Sequence, residues 1–344
     1  MKGLFFEGKA RASVKDTPRP DCLPGTVILE IEAAGICGSD LHMYAGRWGT
    51  PPDTVVGHEI SGKVVEVGQA VKGIAVGDRV CVECFKHCGE CDRCRAGLYN
   101  LCENREFTGG VITGGFAEYA RHDAASVFKM PPGASVEQTV VVEPAAVACR
   151  AAARSEAAAG DFAVVIGGGS IGLLCAAVLR ARMTPKCLIA VKYDHQADLA
   201  RKLGIDHVHK VTEGKTSDAV KELTGGKMAD AVIDTVGSTV AIADAAECVR
   251  PAGRICLLAS PGGRTMIPLG PIVGNEIRLT GSFCYGFSNG TKDFDSAIDM
   301  ITSGALPAEE IITHRFPLDQ AAEAFRTAAD KKTGSVKVII EMKE

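Results

Sequence analysis

The chain has 344 residues, 46% of them hydrophobic and 23% charged, and a net charge of −4. Its length exceeds one typical core and predicts about two domains. The slight negative charge provides no basic field for nucleic acid or an anionic membrane surface, so neither is expected as a partner. The N-terminal MKGLFFEGKARAS lacks the apolar stretch of a signal peptide. The most apolar later run, AVVIGGGSIGLLCAAVL at 163–179, is broken by glycines. No membrane span is expected, and the expected setting is the cytoplasm.

Up to about residue 148 the pattern is β-rich. Short apolar runs at 26–33 (TVILEIEA), 62–68 (GKVVEVG) and 78–84 (DRVCVEC) are separated by Gly, Pro and Asp turn signals. From Gly160 the texture changes to strand–helix alternation. Buried-strand runs at 163–167, 187–191, 231–236 and 254–260 are spaced by helical stretches at 196–204 and 238–250. Continuous apolar strands joined by helices predict a parallel sheet covered on both faces, hence an α/β fold. The tail carries LTGSFCY at 279–285, helical patterns at 293–304 and 318–330, and a last strand VKVIIEM. It is expected to return and complete the first domain.

Fourteen cysteines in a chain without a secretion signal favour metal binding over disulfides. Cys88, Cys91, Cys94 and Cys102 form C-x2-C-x2-C-x7-C in a loop rich in Gly, Asp, Arg and Asn. Four thiolates satisfy tetrahedral zinc with no open position, which is the structural kind of site. Unliganded reduced cysteines are the alternative. Cys81 and Cys84 sit on an apolar strand outside the loop spacing.

Gly167-Gly168-Gly169-Ser170-Ile171-Gly172 follows a strand and opens a helix. Gly167, Gly169 and Gly172 permit the tight turn and close backbone approach, Ser170 and Ile171 lie within the loop, and the N-terminus of the helix expected over 173–180 attracts a pyrophosphate. The acid expected about twenty residues on, for the ribose 2′-hydroxyl, does not follow: the chain reads Val191-Lys192-Tyr193-Asp194. Cys37 precedes Gly38-Ser39-Asp40-Leu41-His42, Gly57-His58-Glu59 follows, and Glu143 lies near the end of the first domain. A Cys, His and carboxylate set holds zinc and leaves one position open. Spacing alone leaves open whether these residues meet, since His58 could be a core imidazole and Glu59 a surface charge.

With CGSDLH at 37–42, GHEISGKVVEVG at 57–68, GDRV at 77–80, GGFAEY at 114–119, VEPAAVA at 142–148 and ITHRFPLDQAAEAF at 312–325, the chain resembles the zinc-dependent medium-chain dehydrogenase/reductase family over essentially its whole length. The likeness is to the sorbitol, butanediol and threonine dehydrogenase branch. The resemblance implies a GroES-like β-rich catalytic domain at 1–148 and 280–344. It also implies a doubly wound Rossmann cofactor domain at 149–279. Cys37, His58 and Glu143 match catalytic zinc ligands; Glu59 matches the neighbouring acid, which can ligate zinc or act just outside its shell. Ser39 matches the hydroxyl that contacts substrate oxygen, and His42 the outer group passing a proton to solvent. Relatives of this kind form dimers or tetramers, so a homo-oligomer is expected.

The implied activity is reversible hydride transfer between NAD(P) and a secondary alcohol, small vicinal diol or polyol, with one catalytic and one structural zinc per subunit. A threonine or sugar dehydrogenase, a zinc-free quinone or enone reductase, and a non-catalytic nucleotide-binding redox sensor are the competing readings. Two departures refine it. Val191 stands 19 residues after Gly172, at the place of the ribose-binding acid, and Lys192 adds a cation, so NADP(H) is expected to be weakly preferred over NAD(H). Asp194 taking the ribose is the alternative. Phe283-Cys284-Tyr285 replaces the Phe-Arg-Tyr of polyol dehydrogenases, and Cys284 lacks the bidentate donors of Arg. A compact substrate follows, with Tyr44, Trp48, Phe283 and Tyr285 as expected pocket residues.

Overall fold

The computed structural model describes residues 1–49, 53–182, 186–259 and 263–342. It divides into two compact units, Met1–Glu143 with Ile312–Glu344, and Pro144–Ile311.

The first unit is organised by the ten-residue strand Thr26–Gly35. One edge of this strand is shared: residues 26–30 pair with Tyr119–Asp123, and residues 33–35 with Lys337–Glu341. Its other edge pairs with Glu59–Val67, and the sheet continues through Arg79–Val82 to Val127–Lys129. Beyond Lys337–Glu341 lies Ile312–Pro317, the parallel partner. Alternation along the central strand puts Val27, Leu29 and Ile31 into a core with Ile60, Val64, Val80 and Val82. A second core holds Leu4, Ala34, Phe116, Phe325, Val338 and Ile340. The helix Ala321–Ala329 buries Ala321, Ala324, Phe325 and Ala328, the one-face spacing of an amphipathic helix. Tyr44 belongs to this aromatic core, 5.8 Å from Phe6 and 5.2 Å from Phe325 between ring centroids.

The second unit is a six-stranded parallel sheet in the order His207–Lys210, Lys186–Val191, Phe162–Ile166, Ala229–Asp234, Val249–Leu257, Arg278–Gly281. The order reverses between the second and third strands that follow the first in sequence, so the C-terminal ends of Phe162–Ile166 and its neighbours open at a topological switch point. Phe162–Ile166 is buried throughout, as a strand covered on both faces must be.

The unit boundaries fall at 143/144 and 311/312, not at 148/149 and 279/280 as the sequence suggested. Polar contacts account for the difference at the C-terminal boundary. The Arg150 guanidinium donates to the Phe287 carbonyl, and Arg154 Nε to the Gly281 carbonyl at 3.3 Å. Lys202 pairs with Glu310. Among the described residues no helix is long and apolar enough to cross a membrane.

One buried histidine makes the first unit acid-sensitive. His122, on the strand opposite Val27, is buried, and its Nε2 meets no partner. Burial pushes its imidazole down from 6.5 to about 4. A folded value below the unfolded one gives stability that is complete above about pH 6.5 and lost as pH falls toward 4. Between pH 7 and 4.5 the wild type should lose about 2 kcal/mol more stability than His122→Leu. Chemical denaturation at the two pH values measures this, and equal losses would contradict a neutral buried ring.

Candidate active site and cofactor loop

The knuckle is built on a local frame. Paired Phe85–Lys86 and Glu106–Phe107 clamp its ends, and the short helix Asp92–Arg95 begins at Cys91. The sulfurs of Cys88, Cys91, Cys94 and Cys102 all lie within 4.8 Å of one another. Cys88–Cys94, Cys91–Cys102 and Cys88–Cys102 are 4.0, 3.9 and 3.5 Å apart. A tetrahedral zinc with bonds of about 2.3 Å needs sulfurs about 3.8 Å apart, so the four cysteines fit the ion without rearrangement. Backbone amides of Cys94 and Glu103 lower the Cys91 thiol to about 6. Burial, followed by the neighbouring Cys91, raises Cys94 to about 12. Backbone amides of Glu90 and Cys91 lower the Cys88 thiol as well, so the loop itself favours thiolate at two of the four positions.

The second constellation is assembled from separate elements of the first unit. Cys37 caps the helix Gly38–Tyr44, where its amide donates to Asp40 Oδ2 at 2.9 Å. His58 directly precedes the strand Glu59–Val67, and its Nε2 lies 3.5 Å from Ser39 Oγ. His58 Nδ1 and Asp40 Oδ1 face each other at 3.6 Å, both buried and without a closer partner. A carboxylate behind one ring nitrogen turns the other toward a metal and fixes the tautomer. Burial opposes charge on His58, but Asp40 and Cys37 outweigh it and hold the ring well above its usual value. Glu143, in the first turn of the helix Val142–Arg154, is buried. Burial raises its carboxyl to about 7, with His58 pulling down, Glu59 pushing up, and Lys337 and the Cys84 thiol pulling down. Cys37, His58 and Glu143 therefore act on one environment, although among the described residues only the knuckle closes to within 4.8 Å. Their sulfur, nitrogen and oxygen donors suit an open zinc site.

Glu59 is placed differently from its neighbour His58. Both of its oxygens accept from Lys337 Nζ at 2.6 Å, and Lys337 also donates to the Ile36 carbonyl at 3.2 Å. Both side chains are buried. The carboxylate fits because Gly35, its partner across the sheet, has no side chain: a Cβ there would lie 2.0 Å from Glu59 Oε2. Lys337 was not singled out from sequence, although a lysine inside the apolar run VKVII was the available signal. Lys337→Met should cost about 3–5 kcal/mol, because it leaves Glu59 buried and unpaired. Chemical denaturation of the zinc-loaded protein reads this, and a loss below about 1 kcal/mol would refute the pairing.

In the second unit the strand Phe162–Ile166 leads through the glycine loop into the helix Ser170–Ala181. Gly167 has φ +111°, and a Cβ on Gly172 would lie 1.9 Å from the Gly167 carbonyl oxygen, so both positions require glycine. Val191 ends its strand buried beneath this loop, with a methyl 2.8 Å from where a Cβ on Gly168 would stand. The amides of Lys192 and Tyr193 donate to Gln196 Oε1 at 3.1 and 3.3 Å, while the Lys192 side chain is exposed. Asp194 is held by Lys210 at 2.9 Å, on the strand in register with Val191. Of the expected pocket residues, Tyr285 is buried, Phe283 is exposed, and Trp48 stacks on His42. A cavity of about 620 Å³ in the first unit, lined by Val14, Pro317 and Met342 among others, contains none of the candidate residues.

Comparison with known proteins places this arrangement. Residues 23–132 match the alcohol dehydrogenase GroES-like domain, and residues 170–303 the zinc-binding dehydrogenase domain. L-threonine 3-dehydrogenase of Legionella pneumophila (strain Corby) is 32% identical over 94% of this chain and 95% of its own. Sorbitol dehydrogenase of Bacillus subtilis (strain 168) is 29% identical over 99% and 97%. The crystal structure of 2R,3R-butanediol dehydrogenase from Bacillus subtilis superposes with a TM-score of 0.89 at 29% identity, covering 99% of each chain. The chain belongs to the zinc-dependent medium-chain dehydrogenase family and is an NAD(P)-dependent oxidoreductase of alcohols or polyols.

Proposed function

We propose that the enzyme interconverts a compact secondary alcohol or vicinal diol with its ketone, with a catalytic zinc on Cys37, His58 and Glu143 and a structural zinc on the knuckle. The observation that carries this reading is the set of a partly buried Cys37 with buried His58 and Glu143, in which the second nitrogen of His58 is backed by Asp40. Glu143 is the third ligand in preference to Glu59, because Lys337 already occupies both Glu59 oxygens. Bound at this site, zinc supplies a Lewis acid that acidifies an alcohol hydroxyl, and the nicotinamide supplies the hydride acceptor. Ser39, beside His58, holds the hydroxyl proton by hydrogen bonding, and His42 passes it outward. Cys284 in place of arginine favours a small substrate over a long polyol. Cys37→Ala should reduce kcat/KM by at least about 10³-fold while NADPH binding is retained within about threefold. Steady-state kinetics with cofactor titration checks both, and retained turnover would remove Cys37 from the ligand set.

NADP(H) is the preferred cofactor over NAD(H). This rests on the missing carboxylate at Val191, the exposed Lys192 beside it, and the hold of Lys210 on Asp194. In a fluorescence titration at fixed salt, NADPH should bind more tightly than NADH. Lys192→Ala should weaken NADPH by roughly fivefold to tenfold, since one charge-assisted contact contributes about 1 kcal/mol or more. Tighter NADH binding would overturn the preference. The exposed edge strand Arg278–Gly281, with Leu279 and the nearby Leu269 and Val273 also exposed, supports assembly as a homodimer or homotetramer.

A further inference from the structure

We propose that Arg47 is a positioning residue that locks His42 in the neutral form with its proton on Nε2, so that the guanidinium must withdraw before Nδ1 can take up a proton. The inference rests on the reading of His42 as the outer proton carrier. It concerns only the loop that follows the helix Gly38–Tyr44.

His42 lies in the last turn of that helix, and the chain folds back on it. The amides of Arg47 and Trp48 both donate to the His42 carbonyl, at 2.9 and 3.3 Å. This brings both side chains against the imidazole. Arg47 Nε donates to His42 Nδ1 at 2.8 Å, and the Trp48 ring stacks on the imidazole at 4.8 Å with 20° between planes. A guanidinium has no acceptor and does not deprotonate, so Nδ1 must present its lone pair. The ring's one proton is then on Nε2. The stacked indole prevents the ring from turning away without losing its contact.

Burial first, and the Arg47 charge second, lower the imidazole below its ordinary value. Other charged groups on packed elements are engaged elsewhere. The preceding hairpin turn approaches through Ala10, whose amide donates to the Tyr44 carbonyl. There Glu7 pairs with Lys15, Arg11 donates to the Glu7 carbonyl, and the Lys9 stem lies under Gly46. On the helix Ala321–Ala329, whose Phe325 meets Tyr44, Glu323 and Arg326 pair with each other. Among the described residues Arg47 is the charge acting on the ring.

In alcohol oxidation each proton passed by His42 enters at Nδ1 as the guanidinium withdraws and is matched by one leaving Nε2. Exchange with solvent then returns the proton from Nδ1 to Nε2, and Arg47 closes again. No charge accumulates on the ring over the cycle.

The test is two-bond 1H–15N correlation NMR of the zinc-loaded enzyme with 15N-labelled histidine, from about pH 5 to 9, with His42 assigned by His42→Asn. The wild type should show the Nε2–H form and titrate below the ordinary value. Arg47→Leu should move the titration upward and populate the Nδ1–H form, and Arg47→Lys should restore the lowered titration through its charge. The acid limb of kcat/KM for alcohol oxidation should move upward in Arg47→Leu with the ring. A wild-type Nδ1–H form, or an Arg47→Leu spectrum identical to wild type, overturns the lock. A ring that responds while the pH profile stays fixed overturns the carrier role of His42 and with it the part of Arg47 in turnover.

Discussion

The buried pair between Glu59 and Lys337 is the constraint on which the first unit depends. It joins three strands: Gly35 provides the space, Glu59 the carboxylate and Lys337 the cation. Two charges removed from water cost several kcal/mol each unless their geometry is close and their remaining donors are used. Here both oxygens accept, and the ammonium also reaches the Ile36 carbonyl, one residue before Cys37. The pair therefore fixes the register of the C-terminal strand against the central one and positions the backbone that presents Cys37. It also withholds Glu59 from the neighbouring histidine, so that the carboxylate nearest His58 in sequence is structurally committed.

The two cysteine-bearing sites divide the chemistry by geometry. The knuckle is a contiguous loop whose sulfurs already stand at the separations a tetrahedral ion needs, which leaves no vacancy for a substrate. The other site draws one donor each from a helix cap, a strand entry and a helix first turn, with donors of three kinds. Such a set is held open by its supports, Asp40 behind His58 and burial around Glu143, more than by mutual contact. In the second unit a buried valine ends the strand beneath the glycine loop, and the Gln196 side chain accepts from the two amides that follow.

Features written in local spacing were legible in the sequence. The knuckle, the strand–glycine–helix loop and the alternation of the parallel sheet each depend on residues close in the chain, and the structure has them at those positions. The Glu59–Lys337 pair is 278 residues apart in sequence, and nothing in either local pattern points to the other. Tyr44 reads as part of a loop after Cys37, whereas it ends the helix Gly38–Tyr44 and packs against Phe6 and Phe325. Residues 280–311 read as part of the first unit because they follow the last parallel strand. Their tie to the second runs through Arg150, Arg154 and Lys202, contacts invisible to periodicity. The clasp of Arg47 on His42 depends on a five-residue backbone reversal that composition does not encode.

The late position of Lys337 bears on the order in which the protein matures. A ribosome releases the knuckle, residues 88–102, with most of the chain still to be made, and those four thiols are close enough in sequence to capture a metal at once. Glu59 must wait for nearly the last strand before its charge is neutralised, so the sheet that carries Cys37 and His58 closes only after translation is almost complete. On the proposed two-zinc reading, the knuckle would be loaded as a nascent loop and the other site only in a finished molecule.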